Sequence, residues 1–266
     1  MYTKEFIIDQ LKAMGAPQNS TVIVHSSLRA VGEVEGRAEG LLDALIEYFT
    51  ADGGLLCIPT HTWNNMRKPR ITLDMTLGES CIGTLPRIAA ADSRGVRSAN
   101  PTHSMMVFGD RERAEEFVCG EEEVLTPTSP DGCYGKIYKR DGYVLLIGVG
   151  HNKNTFIHCI EEMIGITNRI DPVGTPVSVK YKNGEIINRV VNSFNEKLNG
   201  DVSEFFGKYE PAFRRHGCVV DGFIGSAQTQ LCPARKLKEV VELVRKRSGE
   251  IELLHDGNPL DPSWYN

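Results

Sequence analysis

The chain of 266 residues has no apolar run approaching the roughly 18 residues that cross a bilayer, which argues against an integral membrane protein. Its seven cysteines include no C-x-x-C pair. An odd count without metal-ligand spacing points to reduced thiols in a reducing compartment, not to a disulfide framework. The formal net charge is −5, and the densest early cluster of cations is only Arg67, Lys68 and Arg70, so nucleic-acid binding has little support. A G-x-S-x-G elbow and a P-loop are both absent, and "GVGHNK" is too weak for a dinucleotide fingerprint. No His-x-x-x-His or Cys/His pair has ligand spacing, so no metal is expected. The opening "MYTKEFIIDQLKAMG" lacks signal-peptide organisation and reads as an amphipathic helix with Phe6, Ile7, Leu11 and Met14 apolar, giving a cytoplasmic expectation.

What is present is ordinary globule chemistry: 41% hydrophobic and 24% charged residues, enough to bury a large core. "STVIVHSSL" (20–28) and "GGLLCIPTHTW" (53–63) are apolar strands that open into polar residues, with the helix "AEGLLDALIEYFT" between them. Strand, crossover helix, strand implies a parallel pair. Ligands bind beyond the carboxyl ends of such strands, here Ser26, Ser27, Thr60, His61 and Thr62. "YVLLIGVG" (143–150) reads as a buried central strand, and "VSVKYKNGEIINRVVNSF" as a hairpin about Asn183-Gly184. The fold class is therefore α/β, a central largely parallel sheet flanked by helices, with a smaller antiparallel C-terminal part. A single domain over 1–266 is expected, with a possible subdomain at 166–230.

"LIGVGHNKNTFIHCIEE" (146–162) carries the densest chemistry. A helix N-capped by Asn154 or Thr155 places Phe156, Ile157, Ile160, Met163 and Ile164 on one face and His158 nearly opposite. One reading is a solvated histidine beside two acids. The other is a general base in the first turn, where the helix N-terminus keeps the imidazole neutral and a carboxylate orients it. Glu161 and Glu162 both lie within reach at i+3 and i+4, and helix geometry alone does not choose between them. Cys159 points ~100° away from His158, which disfavours a Cys–His nucleophile. His25 reads as a hydrogen-bonded core residue or a ligand contact; His151 stands in a polar loop; His216 and His255 read as surface residues.

In order along 21–162, "TVIVHSSLRAVG", "GGLLCIPTHTW", "NPTHSMMVFGD", "TSPDGCYGKIYKRDGYVLLIGVG" and "NTFIHCIEE" resemble the aminoglycoside 3-N-acetyltransferase family, with "GFIGSAQTQLCPARKL" extending the likeness to about residue 240. The resemblance implies acetyl transfer from acetyl-coenzyme A to the 3-amino group of a deoxystreptamine antibiotic, without a metal. It implies that His158 is the general base and Glu161 its partner. It also implies coenzyme contacts from Ser26, Ser27, Arg29, Arg37, Thr60 and His61, and places His103 and Ser104 near the pantetheine or thioester. The acidic run Glu121, Glu122 and Glu123 reads either as attraction for a polycationic amine or as a solvated charge run. Asn100 stands where the family often has histidine, which leaves acyl transfer to a non-aminoglycoside amine as an alternative; a further alternative is non-catalytic binding of coenzyme A or a cationic ligand.

Overall fold

The structure is a computed structural model that describes residues 1–194, 200–250 and 252–266. Its elements run α1 (Lys4–Ala13), β1 (Thr21–Ser26), α2 (Leu28–Val31), α3 (Arg37–Thr50), β2 (Leu55–Pro59), β3 (Leu73–Asp74), α4 (Thr84–Ala91), β4 (Val96–Arg97) and β5 (Met105–Phe108). Then follow α5 (Arg111–Val118), α6 (Cys133–Lys139), β6 (Tyr143–Ile147), α7 (Phe156–Met163), β7 (Thr175–Lys180) and β8 (Ile186–Val191). A short helix Glu210–Arg215, β9 (Val220–Ile224), β10 (Ala227–Pro233) and a long helix Ala234–Ser248 complete the order.

The main sheet has the strand order β4-β5-β2-β1-β6-β10-β9. β1 pairs in parallel with both β2 and β6, as the crossover through α3 requires. Within the main sheet, among the described residues, parallel pairing is confined to these three central strands; β5, β4, β10 and β9 each pair antiparallel to their neighbours. Central position explains composition: β2 and the last four residues of β6 are buried throughout, so neither strand shows apolar–polar alternation. Side chains still alternate between faces. Val22 and Val24 enter a core shared with α1 and α3, while Ile23 enters the opposite core with α7 and the helix Ala234–Ser248.

The hairpin about Asn183-Gly184 is present: Gly184 sits at φ 88 and Tyr181 N–H bonds back to Glu185 O at 2.8 Å. β7 and β8 form a second sheet with β3, in the order β3-β7-β8. After β6 the chain turns through Gly148 at φ 65, where a Cβ would collide with Ala30 of α2. This close approach holds α2 against the loop that leads to α7. Among the described residues, no helix is long and apolar enough to cross a membrane.

α7 departs from the amphipathic expectation, because every residue from Phe156 to Glu161 is buried. The side carrying His158 is covered by Phe194 and by Phe206 from the 3₁₀ segment Val202–Tyr209. The solvated reading of His158 is thus corrected. Its cause lies in residues far along the chain, which helical periodicity does not see.

Candidate active site

A cleft of about 1370 Å³ opens at the carboxyl ends of β1 and β2. Ser26, Ser27, Arg29, His61, His103 and His158 line it together. His25 joins them, with its Nε2 buried and without a hydrogen-bond partner among the described residues. Arg67, Lys153, Asp171 and Asp201 add charge to the lining.

Three residues expected at the coenzyme stand elsewhere. Arg37 begins α3 on the exposed surface and does not line the cleft. Thr60 and Ser104 are fully buried and clamp one another: their hydroxyls are 3.1 Å apart, and Ser104 Oγ donates to Thr60 O at 2.8 Å. Arg97 closes this cluster from Nε to Ser104 Oγ at 3.2 Å and from Nη2 to Thr60 O at 2.8 Å. Their hydroxyls are consumed internally. Thr62 is likewise turned inward, bonded to Pro101 O at 2.9 Å.

His158 is held on three sides. Its ring stacks on Phe194 at 4.2 Å between centroids and meets the edge of Phe206 at 4.7 Å. Its Nδ1 faces Glu161 Oε2 at 3.5 Å, and neither of these buried atoms has another partner among the described residues. The other Glu161 oxygen accepts from Arg169 Nε at 2.8 Å. Arg169 in turn forks onto Glu252, with Nη2 to Oε1 at 2.8 Å and Nη1 to Oε2. Burial would push the Glu252 carboxyl up, but bonds from Arg169, Leu254 N and Asn168 overcome this and hold it at about 2. Glu162 points another way: Thr126 and Thr128 donate to its two oxygens at 2.6 and 2.7 Å, while burial raises its carboxyl above the ordinary range. The carboxylate against His158 is Glu161.

The other cleft histidines are kept neutral by burial. His25 and His103 are each pushed down to about 3, His103 also by His158. His61 is held well below its ordinary value by burial and by His103, whose ring lies 4.2 Å away. His61 Nε2 is 2.8 Å from the Tyr134 hydroxyl, and His103 Nδ1 is 2.9 Å from Thr102 Oγ1.

Several groups fall outside the sequence expectation. His151 is buried, with Nε2 at 3.4 Å from Glu210 and Nδ1 at 3.1 Å from Asn154; it does not line the cleft. Glu121 is also buried and receives the Cys133 N–H at the start of α6, while burial raises its carboxyl above the ordinary range. Its expected role as a lure for cations is replaced by this structural one. All seven cysteines are free, and burial pushes the Cys159 thiol well up.

The chain matches the family model described as aminoglycoside 3-N-acetyltransferase over residues 23–245. The chain belongs to this family. A curated member, the prophage-derived aminoglycoside N(3')-acetyltransferase-like protein YokD of Bacillus subtilis, is 27% identical over 92% of this chain and 91% of its own. Aminoglycoside N(3)-acetyltransferase IV of Salmonella is 29% identical over 66% of this chain and 62% of its own. Among solved structures, AAC(3)-IVa as a histidine-to-alanine mutant in complex with a gentamicin superposes with a TM-score of 0.77 at 23% identity, covering 95% of this chain and 91% of that one. AAC-IIIb in a binary complex with CoASH gives 0.78 at 20% identity, over 92% and 97%. Family membership makes the protein an acyltransferase.

Proposed function

We propose that the protein transfers an acetyl group from acetyl-coenzyme A to the 3-amino group of a deoxystreptamine aminoglycoside, with His158 as general base and Glu161 as its orienting partner. The family match supports the reaction class, and fold relatives in complex with CoASH and with a gentamicin support the two substrates. The observation that carries the reading is the Glu161 carboxylate behind Nδ1 of a histidine that lines the cleft.

Chemistry follows from that placement. An ammonium cannot attack a thioester, so Nε2 of His158 takes a proton from the bound amine while Nδ1–H faces Glu161. The freed nitrogen pair attacks the carbonyl carbon, the C=O pair moves onto oxygen, and collapse reforms C=O as the C–S bond breaks. The sulfur leaves with that electron pair and takes up the second nitrogen proton. The proton held by His158 passes to solvent, so each cycle yields amide, coenzyme A thiol and one proton. Burial strengthens the His158–Glu161 interaction, and a base of this kind contributes roughly 10²–10⁴-fold.

Ser26, Ser27, Arg29, Arg67 and Lys153 are the cleft residues suited to the anionic coenzyme. Asp171 and Asp201 are suited to the ammonium groups of the acceptor. The test is thiol release from acetyl-coenzyme A with aminoglycosides that have a free 3-amine and with analogues blocked there. Release with the free amines alone, with the acetyl group located on the 3-nitrogen by NMR, is expected. Equal release with the blocked analogues would overturn the regiochemistry, and none with any aminoglycoside would overturn the acceptor.

A further inference from the structure

We propose that His61 binds the thioester carbonyl oxygen through Nδ1–H, and that Tyr134 sets this tautomer by occupying Nε2. The inference rests on the acyl-transfer reading and assigns the group that receives the developing oxyanion.

His61 follows β2 on the cleft wall and is 4% exposed. Burial and the adjoining His103 ring keep it neutral, so it carries one N–H and one lone pair. Which nitrogen holds the proton is decided by the partner of the other. That partner is the Tyr134 hydroxyl, 2.8 Å from Nε2. Tyr134 is buried in the first turn of α6, and burial pushes its phenol well up, so it keeps its proton. The hydrogen bond described for that phenol is the one to Nε2, so its proton is directed there and the imidazole proton resides on Nδ1.

Nδ1 has no acceptor among the described residues, and His61 lines the cleft. A donor without a protein acceptor on the wall of a substrate cleft fits an incoming carbonyl. His103 is less suited: Thr102 Oγ1 donates to Asn100 Oδ1 at 3.4 Å and so accepts from His103 Nδ1, which leaves His103 Nε2 a lone pair. Position agrees with the division of labour. His61 touches the His103 ring, His103 meets Phe194, and Phe194 stacks on His158, so donor and base share one wall across two intervening rings. A neutral donor also avoids the repulsion that an imidazolium would exert on an ammonium substrate. Preorganised by its bond to Tyr134, it stabilises the oxyanion without reorganising.

The experiment joins kinetics to a spectroscopic readout. In wild-type protein labelled at histidine, the imidazole ¹⁵N shifts should report His61 as Nδ1–H; in Tyr134→Phe they should move toward the Nε2–H form. His61→Ala should lower kcat about 10²-fold while the KM for acetyl-coenzyme A stays within about threefold, since the bond strengthens only in the transition state. His61→Asn, which retains a donor near Nδ1, should recover about tenfold of that loss. An Nε2–H tautomer in the wild type, or a His61→Ala kcat within about threefold of wild type, overturns the proposal. Absence of thiol release by the wild type with every amine is the separate failure of the acyl-transfer reading, and the tautomer measurement stands apart from it.

Discussion

Glu161 Oε2 lies 3.5 Å from His158 Nδ1, and that carboxylate has no exposure to solvent. With its other oxygen on Arg169, Glu161 is a fixed anion and not a mobile one. A charge held in this way stabilises an imidazolium as it forms and costs nothing to position at that moment.

Glu161→Gln keeps the shape and an oxygen for Arg169 but removes the charge behind His158. It should lower kcat by about 10²-fold or more while coenzyme A affinity, read by calorimetry, is retained. A kcat near wild type would show that the carboxylate has no part in the chemistry.

Arg169→Ala leaves Glu161 and Glu252 without their cation. Removing one partner of a buried ion pair costs about 3–5 kcal/mol, so urea unfolding should move to a much lower midpoint. A midpoint unchanged from wild type would contradict the assignment of Arg169 as the clamp on Glu161.

Glu162→Ala should affect the fold and spare the chemistry. It breaks two bonds, from Thr126 and Thr128, that tie the preceding loop to α7, at about 1–3 kcal/mol in total. Turnover as low as that of Glu161→Gln would mean that Glu162, and not Glu161, serves His158.

Stability should fall as acid is added below neutrality. His25, His103 and His151 titrate at about 3, 3 and 4 when folded, because burial opposes their charge, against an ordinary 6.5. Between these values the unfolded chain binds more protons, so stability is full above 6.5 and is lost as the pH falls through 4 and 3. Glu252 acts in the same direction: held at about 2 against 4.5, it contributes above 4.5 and loses this as the pH falls through 2. The melting temperature should decline from pH 6.5 to 3, more steeply below 4.5. A flat profile would show that these groups are not protected from protons in the folded state.

The strands, crossover and hairpin were legible because they rest on local signals: β-branched runs, a helix between two of them, and Asn183-Gly184. Ser26, Ser27 and His61 were legible from their position at strand ends. Thr60 and Ser104 share that position, yet they pair with each other and with Arg97, a contact between distant segments that no local pattern announces. His158 stood out by its spacing to Glu161 and Glu162, between which helix geometry did not choose, and its burial, which comes from Phe194 and Phe206, was not legible. Arg169 and Tyr134 carried no signal beyond their types, since each acquires its role only through a side chain brought to it by folding.

The most direct test of the central claim compares wild type and His158→Gln for thiol release from acetyl-coenzyme A with a 3-amino aminoglycoside, alongside coenzyme A binding by calorimetry. The account predicts a kcat about 10²–10⁴-fold lower in the variant with binding retained. A variant kcat within about threefold of wild type would contradict it, because the barrier would then differ by under ~0.7 kcal/mol and His158 could not be the base.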